Sequence, residues 1–341
     1  MKIEILCTDG SPLGVTSKTV WGDTWRIGVG GAELALITMC EEWTKVGYEV
    51  VLYNTPNDPK ASEFEQRPRH MFDPHDNRDV LIVFRTPNPL ALIAKGLKVW
   101  WSCDQFTSVD FNEFHKQVDK VVLISDFHAK YFKDNYNITD TQVIDLPVRF
   151  EEYFAKHIQK IKGRMMFTSV PDRGLDNLWR MWDNIKKGIP EASLVITSDH
   201  RLWGATDTVS NQHRSKWLIK DDFRFLGAIS RENLIKEQLQ SELFVYPCNY
   251  NELFCIACSE AQMAGAYPIT SDIGALHTTN MGTLVPLNAN DPRNDALFIE
   301  NVIDAYNNDL IKNRDRVMGR AKQRFHPKTI LNQWDELVFN G

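Results

Sequence analysis

Two glutamates eight residues apart, Glu252 and Glu260, enclose the run Leu-Phe-Cys-Ile-Ala-Cys-Ser. An apolar stretch precedes them, Leu243 to Tyr246, which reads as a strand stopped by Pro247 and a short polar loop. A helix is expected to follow, with Glu252 near its first turn. At about 1.5 Å of rise per residue, the two carboxylates would then lie roughly 12 Å apart along the axis. Such a separation does not suit an acid and a base flanking one bond. It suits the two ends of a long polar ligand whose anionic middle rests on the positive end of a helix. A nucleotide-sugar has that form, with sugar hydroxyls, a diphosphate and then ribose hydroxyls.

The elements that must carry these residues alternate along the chain. Ile3 to Cys7, Glu49 to Tyr53, Val80 to Phe84, Val99 to Trp101, Lys120 to Ile124 and Gln142 to Leu146 read as strands. Gly28-Val-Gly30-Gly31-Ala-Glu33 opens a helix, Leu34 to Lys45, and Ser125-Asp126 caps another, Phe127 to Asn135. Thr55 to Asp79 reads as loop with a short helix. The charged segment Phe150 to Arg164 reads as the linker. A second set follows, with strands at Met165 to Ser169, Ser193 to Thr197, Phe223 to Leu226, Leu243 to Tyr246, Tyr267 to Thr270 and near Leu284. Helices are expected at Asp176 to Lys187, Arg231 to Gln240, Ala296 to Asn307 and Lys328 to Phe339. Strand and helix in alternation predict an α/β fold with parallel sheets covered on both faces. A length of 341 residues fits two domains, drawn at 1–150 and 151–325. A closing helical segment, 326–341, could pack back toward the first domain.

Composition narrows the function. With 43% hydrophobic and 25% charged residues the chain is that of an ordinary soluble globular protein. Its net charge of −6 gives no general attraction to nucleic acid or acidic lipid, so an anionic ligand needs local cations and backbone amides. The six cysteines show no disulfide framework, and Cys255-x-x-Cys258 lacks the second pair or histidines that would complete a zinc site. No apolar run approaches the length of a membrane span, and the N-terminus reads as a strand and not as a signal peptide.

Taken together, these motifs resemble the family 4 glycosyltransferases over nearly the whole chain. The E-x7-E element is the most specific part, with Asn251-Glu-Leu-Phe-Cys-Ile standing where the family often has Glu-Gly-Phe-Gly. Gly30-Gly31-Ala-Glu33, Val121 to Ser125, Val143 to Pro147, Phe225-Leu-Gly227-Ala-Ile-Ser230 and Glu260 to Ser271 match in order and spacing. The resemblance implies the GT-B architecture, two Rossmann-like domains facing each other across an interdomain cleft. It also implies sugar transfer from a nucleotide-diphosphate donor to an acceptor hydroxyl, with retention of anomeric configuration and neither metal nor cofactor.

The resemblance assigns the roles. Glu252 would accept hydrogen bonds from sugar hydroxyls, aided by the amides of Phe254, Cys255 and Ile256, and Glu260 would hold the ribose diol. Gly30 and Gly31 would bring their amides close to a phosphate. Arg173 would neutralise the diphosphate. The family's upstream cation falls near Thr168 and Ser169, so a hydroxyl replaces it, and Arg201 or Lys220 could compensate. The base would lie against the backbone of Gly227 and Ala228. Many relatives carry histidine where Cys103 stands, which leaves Asp104 as the group to orient the acceptor. That acceptor could be a glycan, a lipid-linked sugar, a small molecule or a modified nucleic-acid base, met in part by the aromatic and basic insertion from Arg201 to Trp217. The expected location is cytoplasmic, or peripheral at a membrane. Two other readings stay open. One is a catalytically silent nucleotide-sugar-binding protein. The other is a dinucleotide-dependent oxidoreductase, disfavoured because the glycines come some twenty residues after the first strand.

Overall fold

The computed structural model describes residues 1–8, 14–21, 28–154, 158–203, 220–286 and 290–340. The chain divides into two compact units. Unit 1 comprises Met1–Asp23, Val29–Pro147 and Phe325–Gly341, and unit 2 comprises Thr24–Gly28 and Val148–Arg324.

Among its described residues unit 1 has seven strands: β1 (Lys2–Cys7), β2 (Glu49–Tyr53), β3 (Glu65–Arg67), β4 (Val80–Phe84), β5 (Leu97–Trp101), β6 (Lys120–Leu123) and β7 (Gln142–Val143). They pair in parallel in the order β3-β2-β1-β4-β5-β6-β7, with Ile5 opposite Leu52 on one side and Ile82 on the other. The order reverses between β1 and β4, the switch point of a doubly wound sheet. Successive side chains of a strand point to opposite faces, and the tandem Trp100-Trp101 uses both. Trp100 packs among Phe111, Phe114 and Phe132 at 4.7–5.6 Å between ring centroids. Trp101 meets Phe84 at 5.0 Å and Trp334 at 5.1 Å, and Trp334 meets Trp43 at 5.3 Å. The C-terminal helix Pro327–Trp334 is thereby part of unit 1, anchored against the helix Gly31–Lys45.

Unit 2 repeats the plan with β8 (Arg164–Thr168), β9 (Ser193–Thr197), β10 (Phe223–Gly227), β11 (Leu243–Tyr246), β12 (Tyr267–Ser271) and β13 (Thr283–Val285). All pairs are parallel, in the order β10-β9-β8-β11-β12-β13, and the switch point falls between β8 and β11. The helix Leu175–Gly188 leaves Trp179 exposed and buries Leu178, Met181, Trp182 and Ile185, residues spaced to share one helical face. Truncating an aromatic so enclosed costs about 3–5 kcal/mol.

Two local expectations are corrected, and one helix has no counterpart in the sequence reading. Thr55 to Asp79 contains the edge strand β3, too short and too polar (Glu65-Gln-Arg67) to show an apolar signal. A fifteen-residue helix, Leu310–Arg324, carries so many charges that no stripe is visible beyond Leu310, Val317 and Ala321. The segment expected as a solvated linker starts with a helical turn, Glu151–Phe154, in which Glu152 and Tyr153 are buried in unit 2.

Candidate functional site

In unit 2 the switch point brings together the loop after β8 and the loop after β11. The first carries Ser169 and, as the last residue of the turn Pro171–Arg173, Arg173. Gly174 follows at φ 118°, in the left-handed region, and a Cβ there would collide with the carbonyl oxygen of Pro247. Only glycine lets this loop approach the other so closely. The second loop carries Glu252, 8% exposed. Its backbone is clamped by the turn at Gly274, where an added Cβ would lie 2.6 Å from the Glu252 oxygen, and Ala275 N–H donates to that oxygen at 2.7 Å.

These loops meet in one hydrogen-bonded set. Arg173 Nη1 lies 3.1 Å and 3.3 Å from the two carboxylate oxygens of Glu252. The Tyr246 hydroxyl lies 2.7 Å from Glu252 Oε1 and 3.1 Å from Ser169 Oγ. The Arg173 guanidinium also stacks over the ring of Tyr250, 4.0 Å from its centroid. Sequence reasoning named Ser169, Arg173 and Glu252 but missed both tyrosines. Tyr246 read only as the last residue of an apolar strand, and a strand's end is where its side chain reaches the loops.

Glu252 is not on the helix, contrary to expectation. The helix runs Ile256–Met263, and Cys255 before it takes φ 70°, a left-handed turn that breaks any earlier helical phase. The 12 Å axial spacing of the glutamates therefore does not apply. Of the three expected amide donors, only Ile256 belongs to the helix; Phe254 and Cys255 lie in the turn that precedes it.

Glu260 has other partners. Only 3% exposed, it accepts from Arg231 Nη1 through Oε1 and from Gln238 Nε2 through Oε2, the latter at 3.0 Å. Arg231 also donates to Glu152 Oε2 at 2.7 Å, and Glu152 Oε1 accepts from Arg149 Nε at 2.6 Å. Two buried glutamates are thus compensated by arginines in one network, as buried charge requires. A ribose hydroxyl would have to displace a partner of Glu260.

The expected base platform is occupied in a similar way. Ala228 N–H donates to Asp199 Oδ2 at 3.1 Å, Ala228 O accepts from Arg201 Nη2 at 3.3 Å, and Gly227 O accepts from Ser198 N–H at 2.8 Å. Arg201 is itself paired with Asp199 at 2.9 Å, and Lys220 with Asp183 at 2.5 Å. Both candidate compensating cations are thus committed to other carboxylates. Of the insertion, His213, Arg214, Lys216 and Trp217 lie outside the described residues.

In unit 1 the helix Gly31–Lys45 and the loop after β5 meet at Arg85, which follows β4. Gly30 caps the helix that opens at Gly31, and the Glu33 carboxylate folds back against Gly30, into the space a side chain there would fill. Arg85 Nη1 donates to Glu33 Oε1 at 2.6 Å, while Nε and Nη2 each reach one oxygen of Asp104 at 2.8 Å. Arg85 takes φ 63°, and its backbone is fixed by Trp101 O on its N–H and Trp100 Nε1 on its carbonyl. Strain in a bulky residue persists where such contacts over-determine it. Sequence reasoning missed this residue, since nothing in Phe84-Arg85-Thr86 marks a positive φ. Cys103, beside Asp104, is a thiol pushed well up by burial and then by Asp104. His128 accepts at Nδ1 from Ile124 N–H, so its Nε2 carries the hydrogen given to Asp104 O at 3.2 Å.

Among the described residues no cluster of three or more His, Cys, Asp or Glu could hold a metal ion, and no helix is long and apolar enough to cross a membrane. Two doubly wound parallel sheets in one chain, each with polar groups gathered at its switch point, define the GT-B class of α/β protein. Residues 165–324, within unit 2, match the family described as glycosyl transferases group 1.

Solved structures are similar over the full length. A sucrose-phosphate synthase from Thermosynechococcus elongatus is 17% identical with a TM-score of 0.70, over 100% of this chain and 98% of that one. Anabaena Alr3699/HepE, in complex with UDP and glucose, is 15% identical with a TM-score of 0.69 over 100% of both chains. A glycosyltransferase from Rickettsia africae is 14% identical with a TM-score of 0.73, over 100% and 99%. At such identities the likeness is one of fold. No curated protein matches the chain.

Proposed function

We propose that the chain is a retaining glycosyltransferase of family 4 that moves a sugar from a nucleotide-diphosphate donor to an acceptor hydroxyl without a metal ion. The observation that carries the reading is the Arg173–Glu252 pair at the switch point of unit 2, a cation and an acceptor carboxylate on adjacent loops. Arg173 would draw off the charge that grows on the diphosphate as the anomeric C–O bond breaks. Glu252 would accept hydrogen bonds from the sugar and hold it in line. The acceptor oxygen would form the new bond to the same face, its proton passing to the leaving phosphate oxygen. In this reading Asp104 orients the acceptor, Gly30 and Gly31 offer amides to phosphate, and the reaction belongs in the cytoplasm or at a membrane surface. Similarity to a fold solved with UDP and glucose supports the donor class.

The test is a panel of nucleotide-sugars, each scored by mass spectrometry for hydrolysis and for transfer to mixed sugar acceptors, with the product anomer read by NMR. Failure of every donor to bind would end the reading. Binding without turnover would favour a silent nucleotide-sugar-binding protein, a reading favoured by the full engagement of Asp104 with Arg85.

A further inference from the structure

Glu252 has two side-chain partners of different kinds. Arg173 is a cation that a diphosphate would attract, and its side chain is 26% exposed. Tyr246 is neutral, fully buried and fixed, its ring edge-on to Phe167 at 5.4 Å and tilted on Phe244 at 5.7 Å. A carboxylate can only accept, so the single hydrogen of the phenol goes to Glu252 Oε1. We propose that Tyr246 is a positioning residue, whose hydroxyl keeps Glu252 aimed at the donor's sugar when Arg173 turns its hydrogen bonds to the diphosphate. The inference rests on the donor reading above and adds a division of labour to it. Arg173 answers to the phosphates, and Tyr246 acts on the sugar through Glu252.

Other features agree. Burial, and then the neighbouring Glu252 charge, push the Tyr246 pKa well above the ordinary phenol value, so its hydrogen is retained. Ser169 Oγ, 3.1 Å away, fixes the phenol oxygen from its other side. The Tyr250 ring gives the Arg173 guanidinium a surface to lie on that does not depend on Glu252. Tyr246→Phe removes one oxygen from the set and leaves the aromatic packing in place.

The experiment compares wild type and Tyr246→Phe by calorimetric titration, first with UDP, GDP and ADP and then with the glucose ester of whichever diphosphate binds. The diphosphate should bind both proteins alike, within about two-fold. The glucose ester should bind the variant about ten-fold more weakly, the scale of one hydrogen bond to a charged group. A merely structural role would weaken both ligands together. In a Glu252→Gln background, Tyr246→Phe should add little further loss. Equal losses for diphosphate and ester, no loss for either, or an ester no tighter than its diphosphate in wild type would each overturn the inference. If none of the three diphosphates binds wild type, the donor reading itself falls, and this inference with it.

Discussion

Arg173 Nη1 lies within 3.3 Å of both carboxylate oxygens of Glu252, so the cation and the acceptor most suited to a nucleotide-sugar are each other's partners. The pair bridges the loops that follow the two central strands of unit 2, β8 and β11. Glu252, 8% exposed, has its carboxylate anchored by Arg173 and Tyr246, groups of the protein itself. Pre-organisation of that kind lets a hydrogen-bond acceptor act without reorganising as the reaction proceeds.

Glu252→Ala should therefore abolish transfer, by at least about 100-fold on the scale of losing one pre-organised polar group. It should leave a folded protein, because the Glu252 backbone stays held through Ala275. Transfer rate and circular dichroism, measured on one preparation, check this. Near-normal activity in a folded variant would sink the site assignment.

Arg231→Met should be the more damaging substitution for stability. It leaves Glu152 short of one partner and Glu260 with Gln238 alone, all in the interior of unit 2. Removing one member of a buried ion network costs about 3–5 kcal/mol. The urea midpoint should fall accordingly, whereas Glu260→Gln, which keeps the shape and removes the charge, should fall less. Equal midpoints for wild type and Arg231→Met would contradict the network's structural role.

Much of this was readable from residue order. Periodicity gives twelve of the thirteen strands among the described residues near their places, because parallel strands buried on both faces are continuous apolar runs. Glu252 is named from its spacing to Glu260 after such a strand, and Ser169 and Arg173 from the family resemblance. What escaped depends on contacts across the sequence. Arg85 is joined to Glu33 and Asp104, 52 and 19 residues away, through a left-handed backbone with no sequence signature. The partner of Glu260 is Arg231, 29 residues earlier on another helix, a contact that the apolar neighbours of Glu260 in sequence do not announce. The helix Leu310–Arg324 was hidden because few of its residues need burial.

Gly174→Ala should cost both stability and donor binding. The position takes φ 118°, where an L side chain is strained, and the new Cβ would strike the Pro247 carbonyl. Strain at such a residue is worth about 1–3 kcal/mol. Since Gly174 follows Arg173 directly, relief of the clash would carry the guanidinium away from Glu252. The expected result is a lower melting temperature together with weaker binding of a nucleoside diphosphate, whereas Gly47→Ala, with no atom near its Cβ, should leave that binding unchanged. Unaltered diphosphate affinity in Gly174→Ala would remove Arg173 from the phosphate site.

His128 makes unit 1 sensitive to acid. Burial pushes its pKa down to about 3 from 6.5, against the opposing hydrogen bond to the Asp104 carbonyl, so the folded ring is neutral. The unfolded chain binds the proton more readily. Stability contributed by the neutral ring is therefore intact above about pH 6.5 and is lost as pH falls from there toward 3. At pH 5 the loss is about 2 kcal/mol, from the unfolded-state protonation alone. His128→Asn offers an oxygen to the Ile124 amide and a donor toward Asp104 without a titrating group. The variant should start less stable at pH 7, because it forfeits the edge-on contact with Phe132 at 4.6 Å. Between pH 7 and pH 5, however, it should lose about 2 kcal/mol less than wild type in urea unfolding. Parallel losses in the two proteins would mean that His128 is not held neutral in the fold.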